Sequence, residues 1–256
     1  MFSFIRRYLL KLIEKIFFGG RNGLDNADEA LRYLPISDQI LRSEFKSPKI
    51  LEVGSGVKGI TPYIPFKVTG VDVVFNGQIA SNLKPVCHSG DKLPFDDASY
   101  DYVISVDMLE HVPESKRFEV ITELLRVARK RVFLAVPCGK LSEEHDKSLD
   151  DLYQQAKGER YHFFKEHVEL GLPTKEELQA YINSSATALG IPIQSLVVGN
   201  VNLKVRAFFM RLWITSKTPK LYAWLSPFLC IFRGALNNGE CYRQIFIINL
   251  ARDRAE

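Results

Sequence analysis

Apolar residues recur with a helical period at the start of the chain. Phe4, Ile5, Tyr8, Leu9, Leu12, Ile13 and Ile16 fall on one face, Arg6, Arg7, Lys11, Glu14 and Lys15 lie opposite or flank it, and Gly19-Gly20 stops the pattern. A basic helix with bulky apolar residues suits an interfacial membrane anchor or a helix packed on the domain. Asn26 or Asp28 can cap a helix over 28–34, and Ser37 another over 38–45. Short apolar runs then read as buried strands at Lys49–Val53, Val68–Val71, Tyr102–Val106 and Val132–Val136, with two late ones at Leu196–Val198 and Gln244–Leu250. Before the fourth run, Phe118, Ile121, Leu124, Leu125 and Val127 mark one helix face. The stretch 138–175 is polar and helical, and Thr174-Lys-Glu-Glu177 is a capping box that opens a further helix. Strands alternating with helices give an α/β class with a parallel sheet covered on both faces. No repeat or low-complexity linker divides the chain, so the reading is one domain over 25–256, with a basic apolar insertion at 203–240 and the helix 1–24 before it.

Composition narrows the class. The 256 residues are 46% hydrophobic and 25% charged, which excludes a disordered, collagenous or disulfide-stapled chain. The four cysteines form no C-x-x-C pair, which points away from zinc and redox motifs and toward a reducing cytoplasm. The net charge of +4 is unevenly spread. Residues 1–24 carry five cations against Glu14, and 203–233 carry Lys204, Arg206, Arg211, Lys217, Lys220 and Arg233 with no acid. The stretch 25–202 is therefore acidic. Nucleic acid is a poor partner for an acidic core with basic appendages, whereas the inner face of a membrane suits it. No run of 18 apolar residues spans a bilayer, and Lys11, Glu14 and Lys15 interrupt any secretory signal. In the insertion, Phe208, Phe209, Trp213, Trp224, Phe228 and Phe232 are interleaved with the cations, a pattern that fits peripheral membrane contact or packing on the sheet.

The sharpest local chemistry is Glu52-Val-Gly54-Ser-Gly56-Val-Lys-Gly59 after a buried strand. Its glycines permit a tight turn and close approach of backbone to a ligand. Asp72, at the end of the next strand, can accept hydrogen bonds from a ribose diol. This serves NAD or any other adenosine-containing cofactor equally.

The next blocks separate these alternatives. Asp91-Lys-Leu-Pro-Phe95, Ser99-Tyr-Asp-Tyr-Val103 and Leu109-Glu-His-Val112 follow in order. With the glycine turn and Asp72, they resemble the class I S-adenosylmethionine-dependent methyltransferases of the type-11 subgroup. That resemblance implies a Rossmann-like, seven-stranded, mostly parallel sheet with helices on both faces and an antiparallel last strand. It implies that Gly54, Ser55 and Gly56 bring backbone to the methionine and sugar of the cofactor, that Glu52 organises the turn, and that Asp72 holds the ribose. It also implies that Asp91 takes the adenine amino group beside Lys92, with Leu93 by the ring and Val106 bordering the methionine. Gly59 stands one residue later than the family's third glycine, and Tyr100 replaces a phenylalanine.

Methyl transfer needs alignment and exclusion of water, and a base when the acceptor is a hydroxyl. His111, His162, Glu166 and His167 are the candidates, with His111 serving as a base or merely as a turn residue. A metal on His162, Glu166 and His167 is the minor reading beside a solvated helix, and no metal is expected. The expected acceptor is a small molecule, lipid or lipid-linked sugar near a membrane. The alternatives are a non-catalytic cofactor-binding module of the same fold and an NAD-dependent oxidoreductase.

Overall fold

The computed structural model describes residues 11, 23, 24, 26–90, 92–215 and 226–252. The anchor expected at 1–24, apart from Lys11, Gly23 and Leu24, therefore lies outside the described residues, as do Asp91, Lys217, Lys220 and Trp224.

Helix α1 (Ala27–Leu41) begins at Asn26, whose side chain accepts the Glu29 N–H. It is one helix where the sequence suggests two. Ser37 bonds back to the Leu34 carbonyl instead of capping a new start, and Pro35 lies inside the helix. Proline has no N–H for the carbonyl four residues earlier. That carbonyl, on Leu31, is met instead by Asn200 Nδ2 at 3.0 Å.

The sheet contains β1 (Ile50–Val53), β2 (Val68–Asp72), β3 (Leu83–Cys87), β4 (Tyr100–Val106), β5 (Ala128–Pro137), β6 (Ile193–Asn202) and β7 (Cys241–Leu250). These seven strands run in the order β3-β2-β1-β4-β5-β7-β6, with β7 antiparallel to both neighbours. The expected class is thus observed, together with an edge strand, β3, that hydrophobic patterning does not reveal. Its Leu-Lys-Pro-Val-Cys is largely exposed, and an edge tolerates proline.

Alternate residues of each strand feed two cores. In β5, Phe133 and Ala135 join α1 on one face, while Val132 and Leu134 join α2 (Glu114–Val127) and α5 (Lys175–Leu189) on the other. Phe118, expected on the buried face of α2, is 37% exposed against Tyr181. The Thr174 capping box opens α5 as anticipated.

The strand order reverses between β1 and β4, and ligands of such sheets bind at the carboxyl ends of strands beside that switch. Helices α3 (Lys140–Lys157), α4 (His162–Leu170) and α6 (Leu203–Thr215) gather at the same edge. They share a small core of Leu149, Phe164 and Ile214. No described helix is long and apolar enough to cross a membrane.

Candidate active site

The turn after β1 is built around a buried acid. Glu52 is fully buried, and its Oε2 accepts the Ile60 N–H at 2.8 Å. Burial pushes its carboxyl up to about 7, against the pull of the Ile60 N–H and the Tyr33 hydroxyl. A Cβ on Gly59, where φ is +47°, would lie 2.0 Å from Glu52 Oε2. The displaced third glycine is therefore the one that lets the carboxylate reach under the turn. Gly56, with φ +53°, leaves its own Cβ position open, with nothing within 4 Å. Its N–H donates to Asp72 Oδ2 at 2.8 Å, so the acid ending β2 and the half-buried glycine backbone face one another. An open glycine backbone beside a strand-end carboxylate is a donor-and-acceptor set that fits the methionine and ribose of an adenosyl cofactor.

The other cofactor-side residues are placed differently. Ser55 is 5% exposed, its hydroxyl bonded to the Gly56 carbonyl and turned toward Gly70. Lys92 is exposed. Leu93 and Val106, at 3% and 4% exposure, belong to the two cores. Two residues that the sequence reading overlooked hold the stretch after Asp91. Glu123 accepts the Leu93 N–H, while Arg126 donates to the Leu93 and Phe95 carbonyls at 3.0 and 2.9 Å. Their only sequence signal is a Glu–Arg pair three residues apart on α2.

At the end of β4 the backbone takes a conformation unusual for a side chain, with Asp107 at φ +48°. Asp107 is gripped by Arg243 through two hydrogen bonds and by Arg32 Nη1 at 3.1 Å. Burial alone would raise its carboxyl, but Arg243 and Arg32 outweigh it and hold Asp107 below the usual range. A single helical turn, Leu109–His111, follows. Glu110 is fully buried, and neither carboxylate oxygen has a hydrogen-bond partner among the described residues. Burial and the neighbouring Asp107 push it well above the ordinary carboxylate range.

Two imidazoles face this turn, each tied through Nδ1 to a carboxylate. His111 Nδ1 lies 2.7 Å from Glu166 Oε2, and His167 Nδ1 lies 2.8 Å from Asp146 Oδ2. The ring centroids are 5.0 Å apart. Burial and His167 hold His111 below its ordinary value, Glu166 notwithstanding. Asp146 also accepts from Arg206 Nη1 at 2.8 Å and from the Tyr242 hydroxyl at 2.6 Å, and Arg206, His145 and His167 keep it ionised against its burial. His162 reaches Glu166 at 3.1 Å, as its helical spacing anticipates, but its side chain is 73% exposed. Of the four candidate catalytic residues, His111, Glu166 and His167 come together, with His162 at the rim. Asp146, Arg206 and Tyr242 lie too far apart in sequence for any motif to join them.

The basic insertion is less uniformly outward than its composition suggests. Arg206 is buried against Asp146, Arg233 pairs with Asp38 at 2.6 Å, and Trp213 packs on Tyr153 and Tyr161. Phe208 and Phe232 are 62% and 63% exposed.

Comparison with known proteins bears on the family and the fold. Residues 51–136 match the family described as methyltransferase domain, type 11. No curated protein matches the chain. A Thermotoga maritima structure described as an S-adenosylmethionine-dependent methyltransferase is 14% identical, with 98% of this chain and 100% of that one covered and a TM-score of 0.53. A Haemonchus contortus phosphoethanolamine N-methyltransferase, in complex with phosphomonomethylethanolamine and S-adenosylhomocysteine, is 13% identical over 94% of this chain and 57% of its own, with a TM-score of 0.52. A Pyrococcus horikoshii protein gives 13% identity, 94% and 99% coverage, and a TM-score of 0.50. At these identities the shared property is the fold.

Proposed function

We propose, from the match of residues 51–136 to a methyltransferase-domain family and from the site's geometry, that this chain is an S-adenosylmethionine-dependent methyltransferase that methylates a hydroxyl of a small amphipathic acceptor, a lipid or lipid-linked sugar, at a membrane surface. The observation that carries the hydroxyl assignment is the pair of carboxylate-bound imidazoles at the end of β4.

When bound, the donor supplies an activated methyl group on a sulfonium. The chain's own work is placement and proton handling. Gly56 and Asp72 line the donor side, and Glu52 keeps the turn in shape from beneath. Glu166 fixes the His111 ring through Nδ1, leaving Nε2 to receive the acceptor's proton, and His162 orients Glu166 from the solvent side. Asp146 holds His167 in the same way. Helices α3, α4 and α6 close over this end of the sheet and limit water. His111→Gln should lower kcat by about 100-fold or more while S-adenosylhomocysteine still binds as in wild type. Unchanged turnover would remove His111 from the mechanism.

Support for the membrane part comes from the basic amphipathic pattern of 1–24 and from Phe208, Phe228 and Phe232, which are exposed on the insertion, as are the cations Lys204 and Arg211. Deleting residues 2–22 together with Phe208→Ser and Phe232→Ser should abolish co-sedimentation with vesicles of anionic lipid. Undiminished sedimentation would contradict the surface assignment.

A further inference from the structure

We propose that Glu110, His111 and His167 form a binding site for one divalent metal ion on the acceptor side of the active site. Two nitrogens and a carboxylate make a donor set suited to Mn²⁺, Fe²⁺, Co²⁺ or Zn²⁺. One donor atom from each of the three residues lies within 4.8 Å of the others.

Hydrogen bonding around the cluster is what separates it from a chance grouping. Buried polar atoms are nearly always paired, yet both oxygens of Glu110 and Nε2 of His167 are buried with no hydrogen-bond partner among the described residues. Glu110 and His167, which carry these three atoms, both belong to the cluster. Each histidine, moreover, spends Nδ1 on a carboxylate, Glu166 for His111 and Asp146 for His167. That is how metal-ligating histidines are habitually supported, since the outer carboxylate fixes the tautomer and aims the other nitrogen at the ion. Asp146 is itself anchored by Arg206 and Tyr242, so His167 is placed by a rigid network. His111 and Glu166, with side chains 26% and 31% exposed, provide the side from which an ion enters.

Three protein ligands leave coordination positions for substrate. The inference rests on the methyl-transfer reading and deepens it. With an ion bound, the acceptor's hydroxyl would take an open coordination position, His111 would serve as a ligand instead of as the base, and the hydroxyl's proton would pass to water on the open side of His111 and Glu166. The minor metal reading of the sequence joined His162, Glu166 and His167; in the structure only His167 of these three belongs to the cluster, with Glu110 and His111 beside it, while His162 sits on the solvent side of Glu166.

The test is calorimetric titration of the full-length, chelator-treated protein with Mn²⁺ and Zn²⁺, with S-adenosylhomocysteine titrated separately. Wild type should bind one ion per chain, Glu110→Gln should lose it, and both should bind S-adenosylhomocysteine equally. Glu166→Gln, on a partly exposed residue that does not threaten folding, should weaken metal affinity roughly 10- to 100-fold. If wild type binds S-adenosylhomocysteine but neither metal, or if neither substitution alters metal binding, the metal site is refuted while the methyl-donor reading stands. Specific metal binding without S-adenosylhomocysteine binding would do the reverse.

Discussion

At Gly59 one missing Cβ decides how the turn after β1 closes. A methyl group there would meet the Glu52 carboxylate at 2.0 Å, in a backbone region that side chains rarely adopt. Gly59→Ala should therefore cost about 2 kcal/mol or more of stability and weaken S-adenosylhomocysteine binding, as read by urea unfolding and calorimetry. Glu52 adds a pH dependence. Its carboxyl is pushed by burial to about 7 from an ordinary 4.5, so the folded chain binds the proton more tightly than the unfolded one. Stability should then fall as pH rises from about 4.5 through about 7, by at most about 3 kcal/mol from this group. Glu52→Gln keeps an oxygen for the Ile60 N–H and removes the charge, so its unfolding midpoints at pH 5 and pH 8 should lie closer together than those of wild type. At this scale the sequence made Glu52, Gly56, Asp72 and His111 visible because they sit in short contiguous motifs. Asp146, Arg206 and Arg243 were invisible because each meets its partners only once the sheet and its capping helices are assembled.

Elements with strong periodicity were legible, and those shaped by tertiary contacts were less so. The central strands carry mostly apolar runs that only a doubly covered sheet buries. β3 has no such run because an edge strand need not be buried, and its pairing with β2 is set by the backbone. At α1 the sequence suggests two helices because Ser37 resembles a fresh cap, and only Asn200, far along the chain, supplies the bond that Pro35 removes from the single helix. Asn200→Ala should thus destabilise the protein by roughly 1–3 kcal/mol, since it leaves the Leu31 carbonyl and the Arg243 guanidinium each short of a partner. On α2, Arg126 ties Leu93, Phe95 and Asp97 to the helix. Arg126→Ala should lower S-adenosylhomocysteine affinity several-fold with the circular dichroism spectrum preserved. Unchanged affinity would show that this clamp does not shape the donor site.

For the whole molecule, one edge of the sheet collects both halves of the proposed chemistry. The glycine turn and Asp72 lie on one side of the switch between β1 and β4, and the histidine–carboxylate cluster follows β4 on the other. The basic insertion enters from β6 and reaches this edge through Arg206, which links the chain's most cationic segment to the acceptor side. Its charge therefore does two jobs, since Arg206 and Arg233 are committed to internal pairs while Lys204 and Arg211 remain exposed. Sequence patterning found the segment but could not divide its cations between these tasks.

The turn and Asp72 are proposed to hold an adenosyl methyl donor, and this can be measured by calorimetric titration of wild type and Asp72→Ala with S-adenosylhomocysteine and, in parallel, with NAD. Wild type should show micromolar binding of S-adenosylhomocysteine alone, lost or weakened at least 10-fold in Asp72→Ala. Binding of NAD in its place, or S-adenosylhomocysteine affinity that Asp72→Ala leaves untouched, would contradict it.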